Sequence, residues 1–305
     1  MELILQSETE ARAASEVLKR GIRWLETHIR QFSLGLAIDD VHRLQLVKPL
    51  GELVLLLELL ARRPPLRARA REMTLWAWEE LERGAFLLEV LAARPDLIMV
   101  ATLLASFQAA GFRNRRITRF VEYLHSTGFA KALQLPNWRM LDLHVALSRL
   151  SHRTRFPRHL VSRMWSQHYP EPWLIDHDSA YAFTHEVFYV TDFGRSPERY
   201  PKRTREYVGV CLPAWLEIFH RKSDLDLFSE LLMVGGCLRL AAPPGAYARI
   251  RLPFEEHGFL PSPHGGGSSL LRPGMTRRRR AFLMNYHTTL VGLMAGLLYP
   301  AALSR

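Results

Sequence analysis

The stretch Asp178-Ser-Ala-Tyr-Ala-Phe-Thr-His-Glu-Val-Phe-Tyr-Val-Thr-Asp-Phe-Gly194 sets Asp178, Tyr181, His185, Tyr189 and Asp192 at offsets 0, 3, 7, 11 and 14. At about 3.6 residues per turn these five side chains fall on one helical face. The remaining positions are mostly apolar: Ala180, Ala182, Phe183, Val187, Phe188, Val190 and Phe193. Such a helix is apolar nearly all round with one narrow ionisable stripe, the inverse of an ordinary surface helix. Two carboxylates, a histidine and two phenols are costly to bury unless they pair or meet water. The stripe therefore lines either a cavity or an internal polar network.

The same helical periodicity runs outward in both directions, without convincing strand alternation. It predicts helices near 8–31, 38–62, 66–93, 95–111, 115–132, 138–152, 156–168, 177–193, 200–221, 224–240 and 278–299. Prolines at 64, 65, 95, 136, 157, 170, 172, 197 and 201 punctuate them. Residues 241–275 change character: Pro243-Pro244-Gly245, Pro253, Pro261, Pro263 and Gly265-Gly266-Gly267 read as an irregular Pro/Gly-rich insertion or lid.

Two kinds of helix alternate. One set is amphipathic and rich in Arg and Glu (8–31, 66–93, 115–132, 200–221), and the other is more apolar (45–62, 96–111, 138–152, 178–193, 224–240, 281–299). Gly111, Gly194, Gly236 and Gly296 fall late in members of the apolar set, with spacings of 83, 42 and 60 residues. A step of about 42 residues is the length of a helical hairpin, and the longer last interval spans the insertion. Asp96, Asp142, Asp178 and Asp224 stand at positions suited to opening apolar helices, where a carboxylate favours the positive end of the dipole. The expectation is one all-α domain over 1–305 built of repeated helical hairpins, an α/α toroid or, alternatively, an open α-solenoid. High apolarity of the inner helices favours the ring, whose lumen their polar residues would face.

In this architecture the chain resembles proteins of the α/α-toroid type, among them polysaccharide lyases, sugar epimerases, terpene cyclases and lanthionine-forming cyclases. The string from Tyr181 to Gly194 also resembles an uncharacterised helical family from specialised-metabolite gene clusters of GC-rich bacteria. The first resemblance implies chemistry in a helical lumen. The second implies no settled activity.

Composition sets outer limits. With 305 residues, 48% of them apolar, the chain can bury a large core. Two cysteines, Cys211 and Cys237, are too few for a disulfide framework, and no signal-type segment opens the chain, so the cytoplasm is the expected compartment. The apolar run from Leu290 to Leu298 and on past Pro300 is short for a membrane span and reads as a buried helix, so no membrane is expected. The net charge of +11 comes from 36 arginines and five lysines against 30 acids. A basic surface concentrates acidic partners, but no helix-turn-helix, zinc-finger, RNA-recognition or phosphate-loop motif accompanies it, so no specific nucleic acid is expected. The densest cluster, Arg277 to Arg280, precedes an apolar helix and reads as a solvated helix start, with capture of phosphate or an acidic peptide as the competing use.

Metal motifs are incomplete. A zinc-type lanthionine cyclase needs adjacent Cys and His, whereas Cys237 is followed by Leu238. His185-Glu186 begins like a helical zinc-protease motif, yet Tyr189 occupies the second ligand position. Asp224-Leu-Asp226 lacks the adjoining second aspartate of terpene cyclases and suits a helix N-terminus. No metal and no cofactor are therefore expected.

His185 is the one stripe residue whose ordinary pKa lies near neutrality, with Tyr181 and Tyr189 one turn away on either side. Asp178 and Asp192 stand about two turns off, too far for direct contact along a straight helix. This set suits proton abstraction and return, as in elimination, epimerisation or cyclisation without a metal. A polar seam that fixes helix register, with His185 bonded to a nearby carbonyl, is the other open reading. Trp138, Asp142 and His144 on one inner helix and Asn285 and His287 on the last are candidate substrate-binding residues. His287 precedes Gly296 by nine residues, as His185 precedes Gly194, which makes the two histidines candidate repeat equivalents. Trp138 and Trp173 suit core packing over substrate stacking, and Asp39, Asp40 and His42 read as a helix cap with a surface histidine. Two functions follow: a biosynthetic or maturation enzyme for a small-molecule or modified-peptide intermediate, or a non-catalytic helical-repeat protein recruiting an acidic peptide or partner biosynthetic enzyme.

Overall fold

A computed structural model describes residues 2–98, 100–151, 156–263 and 267–299. Among them there are fourteen α-helices, linked by short 3-10 turns, and no strand. The all-α expectation holds. Where the sequence suggests one repeat domain, the chain packs as two compact units: residues 1–31 with 164–305, and residues 32–163.

The second unit contains α2 (Asp40–Ala61), α3 (Arg67–Glu80), α4 (Ala85–Ala93), α5 (Val100–Ala109), α6 (Arg115–Ser126), α7 (Phe129–Ala132), α8 (Asn137–Ser151) and α9 (Arg158–Val161). Two helices expected as continuous are broken. The 66–93 helix stops at Leu81 because Glu82 and Arg83 at φ 53° and Gly84 at φ 88° turn the chain through left-handed backbone. The 115–132 helix is interrupted in the same way at Gly128, φ 80°. Asp39 caps α2 by accepting from the His42 amide at 2.7 Å, but His42 itself is wholly buried rather than on the surface.

The first unit contains α1 (Glu2–His28), α10 (His177–Thr191), α11 (Lys202–Arg221), α12 (Leu225–Cys237), α13 (Ala248–His257) and α14 (Arg277–Leu298). Its centre is α12, packed against α10, α11 and α14, while α1 covers α14. Leu227, Phe228, Leu231, Leu232, Val234 and Cys237 are all buried, so α12 has almost no solvent face. α14 is apolar and long enough to cross a bilayer, but 72% of its apolar window is buried within the fold, which makes it a core helix. Residue 300 lies outside the described residues.

Two of the repeat glycines show what holds these helices together. At Gly236 a Cβ would meet the Leu298 carbonyl oxygen at 2.5 Å, so only glycine lets α12 and the end of α14 touch backbone to backbone. Gly194 closes α10: Asp192, Phe193 and Gly194 follow one another at φ 48°, 49° and 77°, and the Phe193 amide donates back to Phe188 at 2.8 Å. The repeat spacing thus joins positions with different physical jobs.

The 241–275 stretch is less irregular than its composition implies, because α13 forms inside it despite Pro253. Glu10 of α1, itself buried, accepts from the Gly245 and Tyr247 amides at 2.6 and 2.9 Å and ties the stretch to the core. Residues 264–266, which include Gly265 and Gly266, lie outside the described residues.

Candidate functional site

α10 is capped two residues before the first member of its stripe. Asp176, not Asp178, is the N-cap, accepting from the Ser179 amide at 2.7 Å. Asp178 is fully exposed beside His177, 3.3 Å away. Asp192 has left the helix at its C-cap, with Arg195 at 3.9 Å. The five stripe residues therefore do not converge on one cavity, because a helix of fifteen residues carries its two ends into different surroundings. The middle of the stripe is what faces inward. Tyr181 stacks on His185 with ring centroids 4.0 Å apart, and Tyr189 lies 6.1 Å from the same ring.

His185 meets groups the stripe does not contain. Its Nδ1 lies 2.8 Å from the Tyr181 carbonyl oxygen and 3.7 Å from Oε2 of Glu230 on α12. A carbonyl only accepts, so the proton sits on Nδ1 and the basic lone pair on Nε2. Thr184, next to it, donates its hydroxyl to the same Glu230 oxygen at 2.5 Å. One turn before Glu230, Asp226 faces His287 of α14 with Oδ2 and Nε2 3.4 Å apart. Donor atoms of Asp226, Glu230 and His287 all lie within 4.8 Å of one another. Three helices thus bring Thr184, His185, Asp226, Glu230 and His287 together inside an otherwise apolar core.

The cluster has a depth gradient. The Glu230 side chain is 3% exposed at the bottom, His185 is 14% exposed, and Asp226 and His287 are 23% and 24% exposed at the mouth. Burial and then the charge of Asp226 push the Glu230 carboxyl above the usual range. Burial also pushes Asp226 up, but His287, the nearby Thr288 hydroxyl and His185 more than offset it, so Asp226 ends below its ordinary value. Of the two carboxylates Asp226 is thus the more acidic and Glu230 the less. Asp226 Oδ1 and the Thr288 hydroxyl are both buried without a hydrogen bond of good geometry.

Other buried acids of this unit are explained by backbone. Glu10 binds the two amides named above, Glu186 accepts from the Trp165 amide at 3.0 Å, and Asp224 caps α12 through the Leu227 amide at 3.1 Å. Glu230, by contrast, accepts from the Thr184 hydroxyl, and Asp226 one turn away faces His287. Sequence reasoning set Asp226 aside as a helix-start acid and overlooked Glu230. The signal was present: two carboxylates four apart in Leu-Asp-Leu-Phe-Ser-Glu-Leu-Leu-Met-Val, the same polar-stripe-in-apolar-helix pattern that drew attention to α10.

The remaining candidates sit elsewhere. Asn285 accepts from the Ser262 amide at 2.9 Å and donates to the Ala281 carbonyl at 2.8 Å, which pins the loop after α13. Trp138, Asp142 and His144 belong to the second unit. There Asp142, in the interior of α8 rather than at its start, accepts from the Thr102 hydroxyl at 2.7 Å, Arg139 lies 4.2 Å over the Trp138 ring, and His144 is half-buried. Trp173 is 71% exposed, which overturns its reading as core. Cys211 and Cys237 are buried and not joined in a disulfide, and burial raises the Cys211 thiol, the wrong direction for a thiolate ligand.

In comparison with known proteins, no curated protein and no solved structure matches the chain. Residues 18–297 match a family described as a domain of unknown function, DUF6895. That span takes in α10, α12 and α14 whole but for the last residue of α14, and the chain accordingly belongs to the DUF6895 family.

Proposed function

We propose that this protein is an enzyme that carries out acid–base chemistry, an elimination, epimerisation or cyclisation, on a small-molecule or modified-peptide intermediate of specialised metabolism. The observation that carries this reading is the meeting of His185, Asp226, Glu230 and His287 from three helices, with Glu230 buried and Asp226 and His287 partly exposed. A polar seam closed within the core buries all its members, whereas Asp226 and His287 are partly exposed above the buried Glu230. His185 is the group to move a proton: its Nδ1 is held by the Tyr181 carbonyl, its ring is steadied by Tyr181, and its Nε2 is left basic. Asp226, with His287, supplies fixed charge at the mouth.

The α/α-toroid arrangement belongs to the same proposal, with α12 and α14 as inner helices and amphipathic α1 and α11 as outer ones. So does a cytoplasmic location. Arg277, Arg278 and Arg280 are exposed and offer an acidic peptide or partner enzyme a docking place, while Arg279 is buried and donates to the Gln31 carbonyl.

The reading is tested by deleting the gene, profiling metabolites by mass spectrometry and complementing with variants. Wild type and Asp178→Asn are expected to restore the product. His185→Ala and Asp226→Asn, folded by circular dichroism, are expected to lower its formation by about 100-fold or more, as loss of a positioned acid or base does. Full restoration by both centre variants, with failure of Arg277→Glu/Arg278→Glu, would replace the enzyme by the recruiting protein.

A further inference from the structure

We infer that Asp226, Glu230 and His287 form a binding site for one divalent first-row transition-metal ion. The site uses residues of the proposed acid–base centre, but its test reads binding rather than turnover, so either conclusion can fail alone. Tetrahedral bonds of about 2.0–2.2 Å to nitrogen and oxygen set donors about 3.3–3.6 Å apart. The three donors here lie within 4.8 Å of one another, so side-chain movements of up to about 0.7 Å each gather them on one ion.

Three further observations point to a ligand. Asp226 Oδ1 and the hydroxyl of Thr288, a residue 1% exposed beside that carboxylate, are both buried without a hydrogen bond of good geometry. Every other buried carboxylate of this unit for which a bond is named above rests on backbone amides, whereas this pair faces histidines and the hydroxyls of Thr184 and Thr288. The Thr184 hydroxyl holds Glu230 in place from behind, the role that outer partners play for a liganding carboxylate. The partly exposed mouth at Asp226 and His287 provides entry from solvent.

Donor chemistry selects the ion. Two carboxylates with an imidazole suit zinc, manganese or ferrous iron, while magnesium and calcium favour all-oxygen shells. Three protein donors leave coordination positions open, the arrangement of catalytic rather than structural sites. His185 stands beside the set, its Nδ1 turned to the Tyr181 carbonyl, and remains outside the three-donor group. On binding, both carboxylates are ionised and the ion takes over the compensation that His287 gives Asp226.

The experiment is a titration of the chelator-treated full chain with Co2+, followed by visible absorption, and with Zn2+, followed by thermal melting. The expected result is one Co2+ per chain with ligand-field bands, and a Tm rise of about 5 °C at ~100-fold excess over Kd. Asp226→Asn, Glu230→Gln and His287→Ala should weaken binding by more than about 100-fold, and Thr184→Val by about 10-fold to 100-fold. Asp178→Asn should leave it unchanged. The inference is overturned if wild type shows neither bands nor a Tm rise, or if binding survives in both Asp226→Asn and Glu230→Gln. The wild-type titration decides the matter even if a variant fails to fold.

Discussion

Each unit of the molecule buries a glutamate, and the two are treated in opposite ways. In the second unit Glu58 lies between Arg149 at 2.6 Å and Arg62 at 3.4 Å. Burial pushes its carboxyl up, but Arg149, the Ser106 hydroxyl and Arg62 outweigh this and hold it below the usual range. In the first unit Glu230 has a hydroxyl, a histidine 3.7 Å away and a second carboxylate, and its carboxyl is driven the other way. Glu58 Oε2 is itself buried without a hydrogen bond of good geometry, so what offsets this glutamate is the charge of two arginines, as a structural ion pair needs. An under-compensated buried charge is a site waiting for a proton, a substrate or an ion.

The contrast can be broken most forcefully at Arg149. Arg149→Met leaves Glu58 with Arg62 alone and should cost about 2 kcal/mol, below the ~3–5 kcal/mol of a fully buried pair because the Arg149 side chain is 23% exposed. Urea unfolding measures it, and a loss near zero would refute the compensated-pair reading. The pH dependence follows the same pair. A glutamate held below its ordinary value adds stability that is complete above the unfolded-state pKa and lost as pH falls through the folded-state one. The wild type should therefore lose its advantage over Glu58→Gln as pH drops below about 4.5, the ordinary glutamate value.

A comparable loss tests the packing that presents the other centre. Gly236→Ala places a methyl 2.5 Å from the Leu298 carbonyl oxygen, and backbone cannot yield as a side chain would. About 1–3 kcal/mol should be lost, and a neutral effect would mean that α12 and α14 are further apart than described. The next test is smaller and opposite in sign to the Glu58 region. In chelator-treated protein Glu230→Gln removes a carboxylate that faces another, so Tm should hold or rise by about 2 °C. A fall of several degrees would show Glu230 to be as well compensated as Glu58. Smallest of all is Asp178→Asn, expected to leave stability within about 0.5 kcal/mol because the side chain is wholly exposed.

These two regions also show what a sequence can reveal. Helix positions were legible: the ends of α2, α8, α11 and α14 fall within about two residues of those predicted from periodicity and caps. The breaks at Glu82–Gly84 and Gly128 were not, because left-handed backbone at Glu82 and Arg83 leaves no mark in hydrophobic period. Of the stripe, His185 lies in the side-chain cluster, with the Tyr181 and Tyr189 rings beside it as one-turn spacing implies. Asp178 and Asp192 lie outside that cluster, since a face defined by angle says nothing about how far along the helix its partner extends. His287 was identified by analogy with His185, and the structure places it on the same side-chain cluster through Asp226. Glu230 escaped because its role depends on Thr184 and Asp226, one of them on another helix, and proximity between helices is not written in either one.

The account stands on Asp226, Glu230 and His287 meeting around one point between α12 and α14. Crystals grown with Mn2+ or Zn2+ and measured at the metal absorption edge test it directly. The account predicts an anomalous peak about 2.0–2.2 Å from an oxygen of Asp226, an oxygen of Glu230 and Nε2 of His287. A map with no peak there, and with Asp226 and Glu230 each bonded to backbone amides like Glu10 and Glu186, would contradict it.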